Sequence, residues 1–144
     1  MPEVLANGDN ERDIEDGKEE KFEFKDRDLG KRTKDFSLRI ITLYGSLGTD
    51  VTSQVIGKQV LRSGTSPGVH YHEAIHARSN AEFISKLEVA LQELEETRYW
   101  LALLKEAKIF NEAKLYPLDD EARQLIAIFT TIVKKTKSKK RQKG

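Results

Sequence analysis

Cysteine is absent from the chain, which excludes a disulfide scaffold, Cys-based zinc fingers, iron–sulfur clusters and thiol catalysis. That absence fits a reducing, cytoplasmic setting. Three prolines and nine glycines exclude a collagen-like chain and a proline-rich linker. No stretch without a charged side chain exceeds ten residues, Ile40–Thr49 and Gln124–Val133 being examples, so no membrane span is expected. The first residues lack the basic-then-apolar order of a secretory signal. Also missing are the glycine motifs that cradle phosphates or dinucleotides, and the G-x-S-x-G turn of serine hydrolases. On these absences the chain reads as non-enzymatic and cofactor-free.

What is present is enough for one domain: 144 residues, 38% hydrophobic and 34% charged. The net charge of +1 conceals an asymmetry. Residues 1–20 carry eight acids against Arg12 and Lys18, a net of −6. Residues 134–144 carry Lys134, Lys135, Lys137, Lys139, Lys140, Arg141 and Lys143 with no acid, a net of +7. Both ends are poor in apolar side chains and are expected to be mobile. The expected organisation is an acidic tail over 1–27, a helical domain over 28–133 and a basic tail over 134–144.

Apolar residues between the tails recur at spacings of three and four, the period of a helix with one buried face. Leu29, Thr33, Phe36, Ile40, Leu43 and Leu47 form one stripe, predicting a helix from about Asp28 to Leu47, with Leu38 and Ile41 widening it. Gly48 is placed to stop that helix, and Asp50 to cap a second with Val55, Ile56, Val60 and Leu61 buried. Ser63–Gly68 reads either as a loop or as a kinked, small-residue stretch of helix. The register of Tyr71, Ala74 and Ile75 favours one kinked helix to about Ala77. Ser79-Asn80-Ala81-Glu82 has capping-box spacing. Phe83, Leu87, Ala90, Leu94, Thr97, Leu101 and Leu104 follow it as a third stripe, broadened by Ile84, Leu91 and Trp100. Asn111 is a cap for a fourth helix bearing Leu115, Leu118, Ala122, Leu125, Phe129 and Ile132, with Pro117 an alternative start. Four helices with short connections predict an all-α, antiparallel up-down-up-down bundle with disordered charged tails.

His72-Glu73-Ala74-Ile75-His76 matches H-E-x-x-H. On a helix the two imidazoles share a face and can hold zinc, with Glu73 activating a bound water. Glu96 is a candidate third ligand. This makes a zinc-dependent hydrolase an alternative reading, weakened by the missing edge strand on which such proteases lay substrate. The structural alternative is three histidines, His70, His72 and His76, on a partly exposed helix. The acids Glu93, Glu95 and Glu96 beside Arg98 read as an ion-paired face.

The run Gln54-Val55-Ile56-Gly57-Lys58-Gln59-Val60-Leu61-Arg62-Ser63-Gly64-Thr65-Ser66 resembles the 23S rRNA-intervening sequence protein family, also called four helix bundle proteins. The likeness continues through Tyr71-x-Glu73-Ala74-x-x-Ala77-Arg78-Ser79, Ala81–Leu87, and Glu96-Thr97-x-Tyr99-Trp100-Leu101. It covers roughly residues 28–133. The resemblance implies a four-helix bundle assembled as a homo-oligomer, a ring-shaped pentamer as related proteins form. A distant relative, the accessory protein of diversity-generating retroelements, binds nucleic acid and a reverse transcriptase. The resemblance also implies that Glu73 is a buried or interfacial structural carboxylate, with His70 standing where relatives often have Asn.

Together these readings predict a cytoplasmic oligomeric bundle that binds RNA or DNA through basic surface. The candidate contacts are Lys58, Arg62 and Lys86 on the helices and the seven cations of the C-terminal end. The alternative is a protein-interaction scaffold whose charged tails recruit a partner, with no nucleic-acid role.

Overall fold

The computed structural model describes residues 17–143, with side chains over 29–139. It contains helices α1 (Gly17–Ser46), α2 (Val51–Ile75), α3 (Asn80–Glu106) and α4 (Glu112–Lys143) and, among the described residues, no strand. The chain divides into two compact units, 1–32 and 33–144. The first holds the beginning of α1, where Leu29 is buried. The second holds the rest of α1 and the other three helices, packed as an antiparallel four-helix bundle. No described helix is long and apolar enough to cross a membrane.

The stripes of α1, α3 and α4 are buried as their spacing predicts. Phe36, Ile40, Leu87, Leu94, Leu101, Leu104, Leu125 and Phe129 are almost fully enclosed. In α3, Ile84 takes the buried place expected of Phe83, which is only half-buried. Leu91 and Trp100 are half-buried flanks of the stripe. Tyr71 of α2 stacks on Phe129 of α4, ring centres 5.7 Å apart and nearly parallel.

The buried face of α2 differs from the expectation. Of Val55, Ile56, Val60 and Leu61, only Val60 is buried, and Val55 is 57% exposed. Ser53, Gly57, Ser63, Gly64 and Pro67 line the interior instead. The reason is proximity. Gly57 faces Leu47 and Tyr44, and Gly64 faces Ile40, at distances that leave no room for a β-carbon. Small residues let the α1 and α2 backbones approach, and the β-branched side chains rotate outward. α2 runs without a break through Pro67, so the segment 63–68 is helix and not a loop. The Pro67 ring has no N–H to offer the Ser63 carbonyl one turn earlier.

Capping is local and explicit. The Asp50 carboxylate accepts from the Ser53 amide at 3.1 Å, and the Ser53 hydroxyl, followed by that amide, holds its carboxyl below the ordinary range. Ser79 Oγ accepts from the Glu82 amide at 3.1 Å. The Glu82 carboxylate reaches back one residue beyond the cap, to the Arg78 amide at 3.2 Å. Asn111 Oδ1 accepts from the Ala113 amide at 2.7 Å, and Pro117 lies inside α4. At the end of α3, Ile109 N–H bonds the Leu104 carbonyl and Lys108 N–H bonds that of Lys105, both within 3.0 Å. These are the two bonds of a Schellman motif. Lys108 occupies its left-handed position at φ 59°.

Two expected boundaries are not helix ends. α1 begins at Gly17 instead of near Asp28, and α4 continues past Val133 to Lys143. The basic segment expected as a tail is therefore helical up to Lys143. Lysine and arginine are good helix formers, and an established helix propagates more easily than it starts. Residues 1–16 of the expected acidic tail, and Gly144, lie outside the described residues.

Candidate functional site

Ile132 and Val133 are the last buried residues of α4 among the described side chains. Beyond them Lys134, Lys135 and Lys139 are exposed. Lys137 crosses to α3, its Nζ 3.0 Å from Glu88 Oε2. The side chains of Lys140, Arg141 and Lys143 lie outside the described residues.

The other candidate cations are distributed differently. Lys58 is exposed on α2. Arg62 spans from α2 to α3, donating to Glu93 at 3.2 Å and to Glu96. The bond to Glu96 holds the guanidinium proton more tightly than usual. Lys86 Nζ lies 3.3 Å from Glu73. Arg62 and Lys86 thus already have carboxylate partners within the bundle, which a phosphate would have to displace. Sequence spacing does not reveal these pairs, because Arg62 and its partners are 31 and 34 residues apart.

Of the two places that the family resemblance allows Glu73, buried or interfacial, it takes the one between helices and is not buried. Its side chain is 40% exposed and lies between α2 and α3, bonded to His70 Nδ1 at 3.1 Å as well as to Lys86. The contact with His70, then that with Lys86, lowers its pKa from the ordinary carboxylate value. A carboxylate so held is a weaker base than a free one.

The third ligand of that reading is also engaged elsewhere. Glu96 accepts from Trp100 Nε1 at 3.0 Å and from Arg62. Among the described residues no group of three or more His, Asp or Glu side chains is arranged to hold a metal. His72 and His76 do come together, with ring centres 4.6 Å apart. His70 belongs to the Glu73 cluster.

Sequence reasoning also missed the polar contacts between helices at Arg98 and at Ser63. Arg98 Nε donates to Asp119 at 2.8 Å, joining α3 to α4 beside a shallow cleft that Tyr116 and Lys105 also line. Inside the bundle the hydroxyls of Ser63 and Thr97 lie 2.9 Å apart. Thr97 also reaches the Glu93 carbonyl at 2.8 Å. A carbonyl only accepts, so the Thr97 proton goes there and Ser63 donates to Thr97.

Comparison with known proteins agrees with this architecture. A crystal structure of a protein of unknown function from the S23 ribosomal protein family of Bacteroides thetaiotaomicron VPI-5482 superposes with a TM-score of 0.72 at 35% sequence identity. The match covers 76% of this chain and 98% of that one. No curated protein matches the chain. The model of the 23S rRNA-intervening sequence proteins matches residues 25–131, taking in the bundle from within α1 to the last apolar turn of α4, and the chain belongs to that family.

Proposed function

We propose that the protein is a non-enzymatic, cytoplasmic homo-oligomer that binds RNA or DNA through the basic end of α4. The observation that carries this reading is a contrast among cations. On the helical body Arg62 and Lys86 are paired with carboxylates, whereas Lys134, Lys135 and Lys139 are exposed beyond the last buried turn. Exposed lysines without a base-reading pattern neutralise phosphates and do not specify sequence. Arg62 and Lys86 are secondary contacts at most, and Lys58 joins the α4 lysines as an exposed cation.

Assembly is supported by large apolar side chains left in contact with water on α1 and α2. Leu38 is 55% exposed, Ile41 49%, Val51 78% and Val69 56%. Exposed apolar surface of this kind marks an interface, and the family resemblance makes a pentamer the expected state. Joining several basic ends in one particle raises their effective concentration on a single nucleic-acid strand.

The test is fluorescence anisotropy with labelled single-stranded RNA and with duplex DNA over a range of salt. Engagement of about 4 phosphates of a single strand per chain gives a log–log slope near −3. Truncation after Val133 removes Lys134, Lys135 and Lys139, leaves every buried residue among the described ones in place and should flatten the slope. An unchanged slope and affinity would refute the reading. It would favour a scaffold that recruits a protein partner, such as the reverse transcriptase bound by the distant relative.

A further inference from the structure

The histidine pair on α2 takes no part in the proposed nucleic-acid role, and its geometry stands independently of it. We propose that His72 and His76 form a reversible surface site for a borderline divalent transition-metal ion, namely zinc, nickel or copper(II).

Three observations converge. The rings lie one turn apart on the same side of α2, with centres 4.6 Å apart and planes inclined by 48°. With metal–nitrogen bonds of about 2.1 Å, two imidazoles holding one ion in adjacent positions bring their ring centres to roughly 4.5–5 Å. The observed spacing needs little change. Next, His76 Nδ1 is 2.9 Å from the His72 carbonyl. A carbonyl only accepts, so Nδ1 carries a proton, which in the neutral ring leaves the lone pair on Nε2, the tautomer that ligates a metal. Both residues are also exposed, so an ion reaches them without opening the bundle and keeps water in its remaining positions.

The surroundings decide what kind of site this is. Glu73 is bonded to His70 and Lys86, and Glu96 to Arg62 and Trp100. Neither carboxylate completes the four-ligand shell of a structural zinc site. A two-imidazole chelate is labile, and it favours copper over nickel and zinc by the usual order of divalent affinities. His76 is the C-cap of α2, with φ −106° and ψ 14°. An ion bridging it to His72 ties the cap to the helix and so stabilises the folded form.

The experiment uses full-length, untagged protein titrated with nickel chloride in a calorimeter, beside His72→Ala, His76→Ala and His70→Ala. Circular dichroism checks that each variant is folded, which is expected because both ligands are exposed. One ion per chain should bind to the parent protein and be removed by dialysis against a chelator. Affinity should fall by at least about tenfold in His72→Ala and in His76→Ala and be unchanged in His70→Ala. Electron paramagnetic resonance of bound copper(II) should report two nitrogen donors in the parent and one in either variant. Absence of nickel binding at millimolar concentration overturns the proposal, as does equal affinity in all four proteins.

Discussion

A β-carbon placed on Gly64 would lie 2.7 Å from Cγ1 and 2.9 Å from Cγ2 of Ile40. Both atoms belong to the branched stem of a fully buried side chain, which has one stiff rotamer and nowhere to move. Gly64→Ala should therefore destabilise the protein. The overpacking cost of about 1–3 kcal/mol exceeds the helix-propensity gain of about 0.8–1 kcal/mol. Urea unfolding measures the difference. Gly45 is the control: a β-carbon there would meet nothing within 4 Å, so Gly45→Ala should keep the propensity gain.

Lys108→Gly should stabilise the protein by about 0.5–1 kcal/mol, because a non-glycine residue in the left-handed region is penalised. Lys108 has a φ of 59° within the turn between α3 and α4. Thermal unfolding should show a higher midpoint, and an unchanged one would mean the turn is not strained.

Phe129→Ala should cost about 3–5 kcal/mol. The side chain is fully buried and stacked on Tyr71, so its removal opens a cavity between α2 and α4. Phe129→Leu should cost less, by chemical denaturation of both variants.

Glu96 supplies a pH dependence. The hydrogen bond from Trp100, followed by that from Arg62, lowers its pKa from the ordinary 4.5. A depressed carboxylate contributes stability that is present above the unfolded value and is lost as pH falls through the lower folded one. Trp100→Phe removes the larger cause, so the Glu96 midpoint should rise toward 4.5 in a carboxyl-carbon NMR titration. The bond is partly exposed, and its loss should cost under about 1 kcal/mol at neutral pH.

Leu38→Glu combined with Ile41→Glu should dissociate the proposed oligomer without unfolding the chain, since both side chains are about half exposed. Light scattering with circular dichroism reads both properties. A parent protein that scatters as a monomer at micromolar concentration would end the assembly proposal.

The extent to which the chain could be read in advance follows from the range of each interaction. The stripe from Leu87 to Leu104 and the caps at Asp50 and Ser79 depend on neighbours three or four residues away, and all are found in the structure. The interior of α2 was legible at Val60, Tyr71 and Ala74 but not in its first turns, where apolar spacing points to Val55 and Ile56 whereas the helix buries Gly57 against Leu47 and Tyr44. The partners of Arg62 and Arg98 lie on other helices, so no local pattern announces them. The turn at Lys108 carries no glycine to mark it. H-E-x-x-H gave the adjacency of His72 and His76 correctly, but its Glu73 is spoken for by His70 and Lys86.

The continuation of α4 to Lys143 changes what a ligand would meet. A coil loses roughly 1–2 kcal/mol of backbone entropy for each residue it orders on binding, and it can adapt its shape to almost any polyanion. A helix has already lost that freedom and holds its lysines at a fixed rise of about 1.5 Å per residue. Phosphates spaced to match would bind with little further ordering, while mismatched ones would gain little. Selection by the spacing of charges then becomes available to a segment that has no means of reading bases.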